Sequence, residues 1–377
     1  MPRGIISALL ILYKDTPMQT TLPDPRTYYL GSAVNPLHGR LLDLLAMRAG
    51  NARDQVHTLW DTDLRQALSQ GENASILQTF DHVPSALAWQ LLNEQLADIL
   101  ASCPHPDGNA LVFALPLALV IGASNDLTLP AQWPNITLVH DFLQTQAIFG
   151  SSAQIHLAPG LYAAENIQNI LWSDWWAWGQ NPSQNCPANA HQLFIQRGSE
   201  QVSLRFIVGV AVNPALPVRD ISQWGIAFSH GLGEQLAQED LNLFVVPRSP
   251  QALPRALYQG GQVAREMGLQ LFSSHVIRRF RQDIGEPAVT ISVHDDQTLR
   301  IRFANPFNLG HADTYTWPLN AGDSLGLIAA QVAELLDECR LENVTVLTEQ
   351  QATQVTPPIS RPNVIMLKQV SPHDGAA

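Results

Sequence analysis

Apolar residues in this chain fall into two alternating periods. Trp89, Leu92, Leu96 and Ile99 recur at helical spacing within Pro84 to Ser102, which predicts a helix. ALVFALPLALVIG follows (Ala110 to Gly122), too uniformly apolar for a surface helix and readable as a pair of strands. An irregular stretch then opens at Asn125 and closes on Trp133. A second helix (about Ile136 to Phe149) and a short strand (Gln154 to Ala158) complete the unit.

The same order returns twice. A helix from about Leu161 leads to HQLFIQRG and QVSLRFIVGVAV, joined by the polar turn Gly198-Ser199-Glu200 as an expected hairpin. A loop from Asn213 to Trp224, a helix to about Glu239 and a strand Leu241 to Val246 follow. The third copy has a longer helical lead, Pro254 to Asp283, with an expected break at Gly260-Gly261. AVTISVHD and TLRIRFAN then pair across Asp296-Gln297, before a loop from Asn305 to Trp317. A helix from about Asp323 to Arg340 and a strand Val344 to Leu347 end it. Trp133, Trp224 and Trp317 are 91 and 93 residues apart, and the opening asparagines 88 and 92. Such regular offsets point to duplication.

The expected fold class is therefore α/β with α+β-like units. A helical N-terminal segment (31–80) precedes three tandem αββαβ repeats (84–158, 161–246 and 252–348), arranged around a pseudo-threefold axis or in a row. In the N-terminal segment, Asn35-Pro36 suits a helix cap followed by proline at the first helical position. Residues 1–30 read as a leader. Their apolar run, Gly4 to Tyr13, is about half of a membrane span, and Met18 is an alternative start. Residues 350–377, with four prolines and little periodicity, read as a mobile tail.

Composition narrows the partners. The formal charge is −12, with 33 acidic against 21 basic residues. Such a chain is a poor nucleic-acid binder, because phosphate contacts need clustered positive charge. No apolar run is long enough for an integral membrane segment. Three cysteines with no C-x-x-C pair fit a reducing, cytoplasmic setting. No cofactor or metal site is expected: dinucleotide and phosphate-loop glycine motifs are absent, as is any zinc-like Cys/His spacing.

Candidate chemistry is sparse. Trp172, Trp175, Trp176 and Trp178 place four of the nine tryptophans within seven residues. Four rings are hard to bury on one short element, and aromatic residues are enriched at binding surfaces, so this cluster is the main candidate surface for a protein partner. His230, His311 and Asp313 lie in or after the Asn-to-Trp loops and are weak candidates for acid/base or metal chemistry. Ser229 and His230 are adjacent and point apart on a helix, so they make no nucleophile pair. Arg278, Arg279 and Arg281 form the one basic cluster, a weak candidate for anion binding, set against pairing with the protein's own carboxylates. The leading expectation is a non-catalytic binding or assembly protein presenting an aromatic surface or an exposed sheet edge. The alternative is an enzyme with its site where the three loops converge. Partner, substrate, oligomeric state and pathway are not encoded in any recognisable motif.

Overall fold

The computed structural model describes residues 35–347, apart from 48, 131–134, 191, 199, 238–239, 284, 296–297, 306–307 and 342–343. The expected leader and tail lie outside the described residues, as does Trp133. The fold is mixed α/β, with ten α-helices and twelve strands among the described residues. The chain forms two compact units, one ending at Asp63 and one starting at Leu64.

The first unit holds α1 (Pro36–Ala46) and the start of α2 (Asn51–Gln70). The Asn35 side chain accepts from the Leu37 amide at 3.1 Å, with Pro36 in the first turn, as the sequence predicts. Leu37, Leu41 and Leu44 form the buried stripe of α1, and Arg40 donates to Asp63 across the two helices.

In the second unit, α3 (Asn73–Asp81) and α4 (Ala86–Leu100) precede a six-stranded sheet. Ser85 caps α4 by accepting from the Ala88 amide. The hairpin strand β1 (Cys103–His105) leads into β2 (Gly108–Ala123), a single 16-residue strand. The pair of strands expected at Ala110 to Gly122 is therefore one. Pro116 does not break it, because the loss of its N–H falls where the edge ladder is already interrupted. There β7 (Leu241–Pro247) stops opposite Leu117, and β8 (Gln251–Ala252) begins opposite Ala114.

The partner of β2 is β6 (Glu200–Val212), antiparallel from Gly122↔Glu200 to Ala110↔Val212. The hairpin expected at Gly198 does not form: β5 (Leu193–Ile195) pairs instead with β3 (Leu127–Leu129). Gly198 sits at φ +70° and donates to Ala123 O, steering the chain onto β2.

Helix α5 (Ile136–Thr145) carries the chain to β4 (Gln154–Leu157), which pairs with β6. Helix α8 (Gly225–Leu236) carries it to β7, which pairs with β2. The first two predicted copies, both within the second unit, thus give their last strands to one another. Gln154 lies opposite Val212 and Leu241 opposite Ala123. Between α5 and α8, Phe142, Trp224 and Phe228 stack with centroids 5.2 to 6.4 Å apart. This layer covers Leu111, Phe113, Leu115, Leu117, Leu119 and Ile121 on one face of β2.

The opposite face receives α9 (Leu253–Asp283), a 31-residue helix. It runs unbroken through Gly260-Gly261, against the expected break. A Cβ at Gly260 would come within 3.0 Å of the Phe206 ring and 3.1 Å of Pro116, so this glycine serves close approach rather than a turn. Two short helices, α6 (Ala164–Gln168) and α7 (Trp172–Gln180), also belong to this unit.

The third predicted copy folds differently. Strands β9 (Ala288–Asp295) and β10 (Thr298–Asn305) pair as the sequence indicates. The expected loop Asn305 to Trp317 is instead mostly strand β11 (Asn308–Pro318), antiparallel to β10. Helix α10 (Leu325–Glu338) leads to β12 (Val344–Leu347), parallel to β9, giving the order β11-β10-β9-β12. Strand order and direction therefore separate this sheet from the first two predicted copies, and a threefold arrangement of equal αββαβ modules does not fit the described residues. Alternating apolar residues explain the difference: Tyr315 and Trp317 continue the inward face of Leu299, Ile301 and Phe303. That face packs on Leu269, Val276 and Phe280 of α9 and on Ile328, Val332 and Leu336 of α10.

Candidate functional site

The tryptophan cluster lies on α7, and three of its rings are buried: Trp175 at 0%, Trp176 at 4% and Trp178 at 4% exposure, with Trp172 half-buried. The expectation of an exposed aromatic surface is corrected at these three positions. The reason is Gly179. A Cβ there would come 2.6 Å from Val112 and 3.0 Å from the Cys103 sulfur, so α7 settles flat on β1 and β2 and its flanking rings are covered as well. Trp175 donates to Ile167 O at 3.4 Å and Trp178 to Gln184 O at 3.2 Å. Trp224 likewise donates to Arg219 O at 3.2 Å from a buried ring, anchoring its loop.

Among the described residues the loops do not leave their strands at a common point. The first leaves β2 beside Asp240, which accepts from Ser124 and Asn125. The second leaves β6 beside the α5–β4 connection, where Ala215 donates to Phe149 O and Arg219 to Ile148 O. In the β2–β6 pairing those exits are separated by a dozen residues, about 40 Å. The third candidate loop is a strand of the other sheet.

The histidine and arginine candidates are dispersed. His230 is exposed on α8, with Nδ1 3.4 Å from Glu234. Neighbouring Ser229 instead donates to Val245 O. His311 lies on β11 with its side chain outside the described residues. Asp313 pairs with Arg279, and Arg281 with Glu286 at 3.1 Å, while Arg278 is exposed. Burial pushes the Cys103 thiol up to about 12, which keeps it protonated. No group of three metal-ligating side chains occurs among the described residues.

The densest polar constellation lies elsewhere, where α4, α9, α10 and β11 meet. Arg265 of α9 and Asp323, just before α10, have side chains 9% and 0% exposed and approach to 3.2 Å. Tyr258, two turns before Arg265, donates to Asp323 Oδ1 at 3.0 Å, and the Asn320 amide donates to Oδ2 at 2.8 Å. Gln90 of α4 donates to Gly322 O at 2.6 Å. Gly322 is required here, since a Cβ would sit 2.4 Å from Trp89. Phe80, Trp89 and Tyr258 form an aromatic row, with centroids 5.9 and 5.4 Å apart. Beneath it, the Arg265 guanidinium lies 5.7 Å from the Trp317 ring centroid. Beside it, burial raises the Glu266 carboxyl above the usual range, and Gln331 donates to it. Burial, and then the Asp323 charge, raises the Tyr258 phenol.

Sequence reasoning singled out Trp317 and Asp323 only as element boundaries. It missed Gln90, Tyr258 and Arg265, which no local motif joins. Comparison with protein-family models, curated proteins and solved structures gives no match to this chain.

Proposed function

We propose that this chain is a non-catalytic binding or assembly protein that takes a protein partner by strand addition along β7. The observation that carries the reading is the character of that edge. Among the described residues β7 pairs only with β2, so its other side is a sheet edge. Its sequence, LNLFVVP, has no charged residue and places proline only at the end. Edges left to solvent are usually blunted by charge, proline or shortness. By contrast β4 and β12 have four residues each, and β11 carries Asp313. Phe244 projects from β7 at 63% exposure, opposite Val120, and Asn242 is exposed on the same side. Ser229 takes the carbonyl of Val245, which leaves the stretch Leu241 to Phe244 as the pairing segment. An extended peptide with alternating apolar side chains fits such an edge, its backbone giving affinity and one side chain lying on Phe244.

The test is the double substitution Asn242→Lys and Phe244→Lys, with both changes on exposed positions. Extended peptides selected from a displayed library on the unmodified protein should lose binding to this variant while its melting temperature stays within a few degrees. Undiminished binding would remove β7 as the docking edge.

A further inference from the structure

Two arginines on α9 use the same edge of the guanidinium differently. In Arg255, Nε and Nη2 both donate to Glu94 Oε2, and Nη2 also donates to Asp98 at 3.1 Å. In Arg265, which is more deeply buried, neither Nε nor Nη2 has a hydrogen-bond acceptor among the described residues. Nη2 lies 3.2 Å from Asp323 Oδ2 without being aimed at it. The ring below this guanidinium repeats the pattern: Trp317 is fully buried, and its indole N–H also lacks an acceptor among the described residues. Buried donors are nearly always satisfied, and a charged donor left without an acceptor is costly.

We propose that Arg265, with Trp317 beside it, binds a small monocarboxylate, which takes the Nε and Nη2 hydrogens on its two oxygens, where on Arg255 a single oxygen of Glu94 takes both. That fork matches the two oxygens of a carboxylate, which a lysine cannot reproduce. Asp323 already balances the charge of Arg265, so a singly charged group meets less repulsion here than a phosphate dianion. Trp317 and the partly buried Tyr315 belong to the apolar cluster next to this guanidinium, and Trp317 is the ring it lies over. The site lies apart from the β7 edge and does not depend on the reading of that edge.

The experiment titrates the full chain with sodium acetate, sodium benzoate and inorganic phosphate, each against chloride at equal ionic strength. It reads melting temperature and the Arg265 Nε–H resonance. Acetate or benzoate should raise the melting temperature and shift that resonance, and phosphate should do neither. Arg265→Lys should weaken carboxylate binding about 10- to 100-fold, and Trp317→Phe, which keeps the ring without the N–H, should weaken it less. An unmoved Nε–H resonance in the unmodified protein overturns the site, whether or not the lysine variant folds. Undiminished binding in Arg265→Lys also overturns it, and an equal response to phosphate overturns the carboxylate assignment.

Discussion

The two larger sheets of the second unit solve the burial problem in opposite ways. The six-stranded sheet joins residues far apart in the chain, with Gly122 opposite Glu200 and Ala110 opposite Val212, and each half lends its last strand to the other. Helices cover both faces of its central strands, so β2 is almost uniformly apolar. The four-stranded sheet is a local meander, with β9, β10 and β11 in sequence. Helices cover one face, and Arg300, Arg302, Thr314 and Thr316 alternate outward on the other. Strands buried on both sides lose their alternation, and strands buried on one side keep it. The comparison shows why similar-looking stretches of sequence gave different topologies. In one region the strands needed distant partners on both edges, and in the other the neighbouring strand sufficed.

The strongest test of that contrast removes packing from each sheet. Phe206→Ala, beneath Gly260 in the doubly covered sheet, should cost about 3–5 kcal/mol by urea unfolding. Thr316→Ala on the open face of the other sheet should stay within about 0.5 kcal/mol. Equal losses would mean that the second sheet's open face is covered too. Trp175→Ala should likewise cost about 3–5 kcal/mol, with Trp172→Ala well below it. If Trp175→Ala left the melting temperature unchanged, α7 would not be packed as described.

Folding order should follow chain separation. In pulse-labelling hydrogen exchange during refolding, β9 and β10 amides should gain protection before those of β2 and β6, because long loop closures slow non-local pairing. Simultaneous protection would indicate one cooperative nucleus. Cys103, packed under Gly179 with its thiol raised to about 12, should resist alkylation at pH 8 until the protein unfolds.

The smallest expected effect concerns Glu266. Burial raises its pKa above the unfolded value, so the folded state favours the protonated form. The resulting stability is present below the ordinary carboxylate pKa and fades as pH rises through the raised one. Glu266→Gln should flatten the pH dependence of the melting temperature in that window. An unchanged slope would show that Glu266 is not desolvated.

Individual elements were legible because they rest on local rules. The Asn35-Pro36 cap, the β9–β10 pair, and helices α4 and α10 follow from capping residues and periodicity. The pairing of strands was less legible. Gly198-Ser199-Glu200 looked like a hairpin turn because it is short and polar between two apolar runs, yet the Gly198 amide donates to Ala123 O. Trp317 looked like the close of a loop by its offset from Trp224, and the alternation around it is the signal for a strand. The Arg265 site was not readable at all: Gln90 comes from α4, Tyr258 and Arg265 from α9, and Asp323 from the connection before α10.

By itself the chain determined where helices and strands form and which residues avoid water, since backbone propensity and apolar period act within a few residues. Only the tertiary structure decided which strands exchange partners, that Gly179 sinks the tryptophan helix, and that Arg265 is buried without a full set of acceptors among the described residues. Those outcomes depend on close approach between segments tens of residues apart or more, and no local pattern records which surfaces will meet.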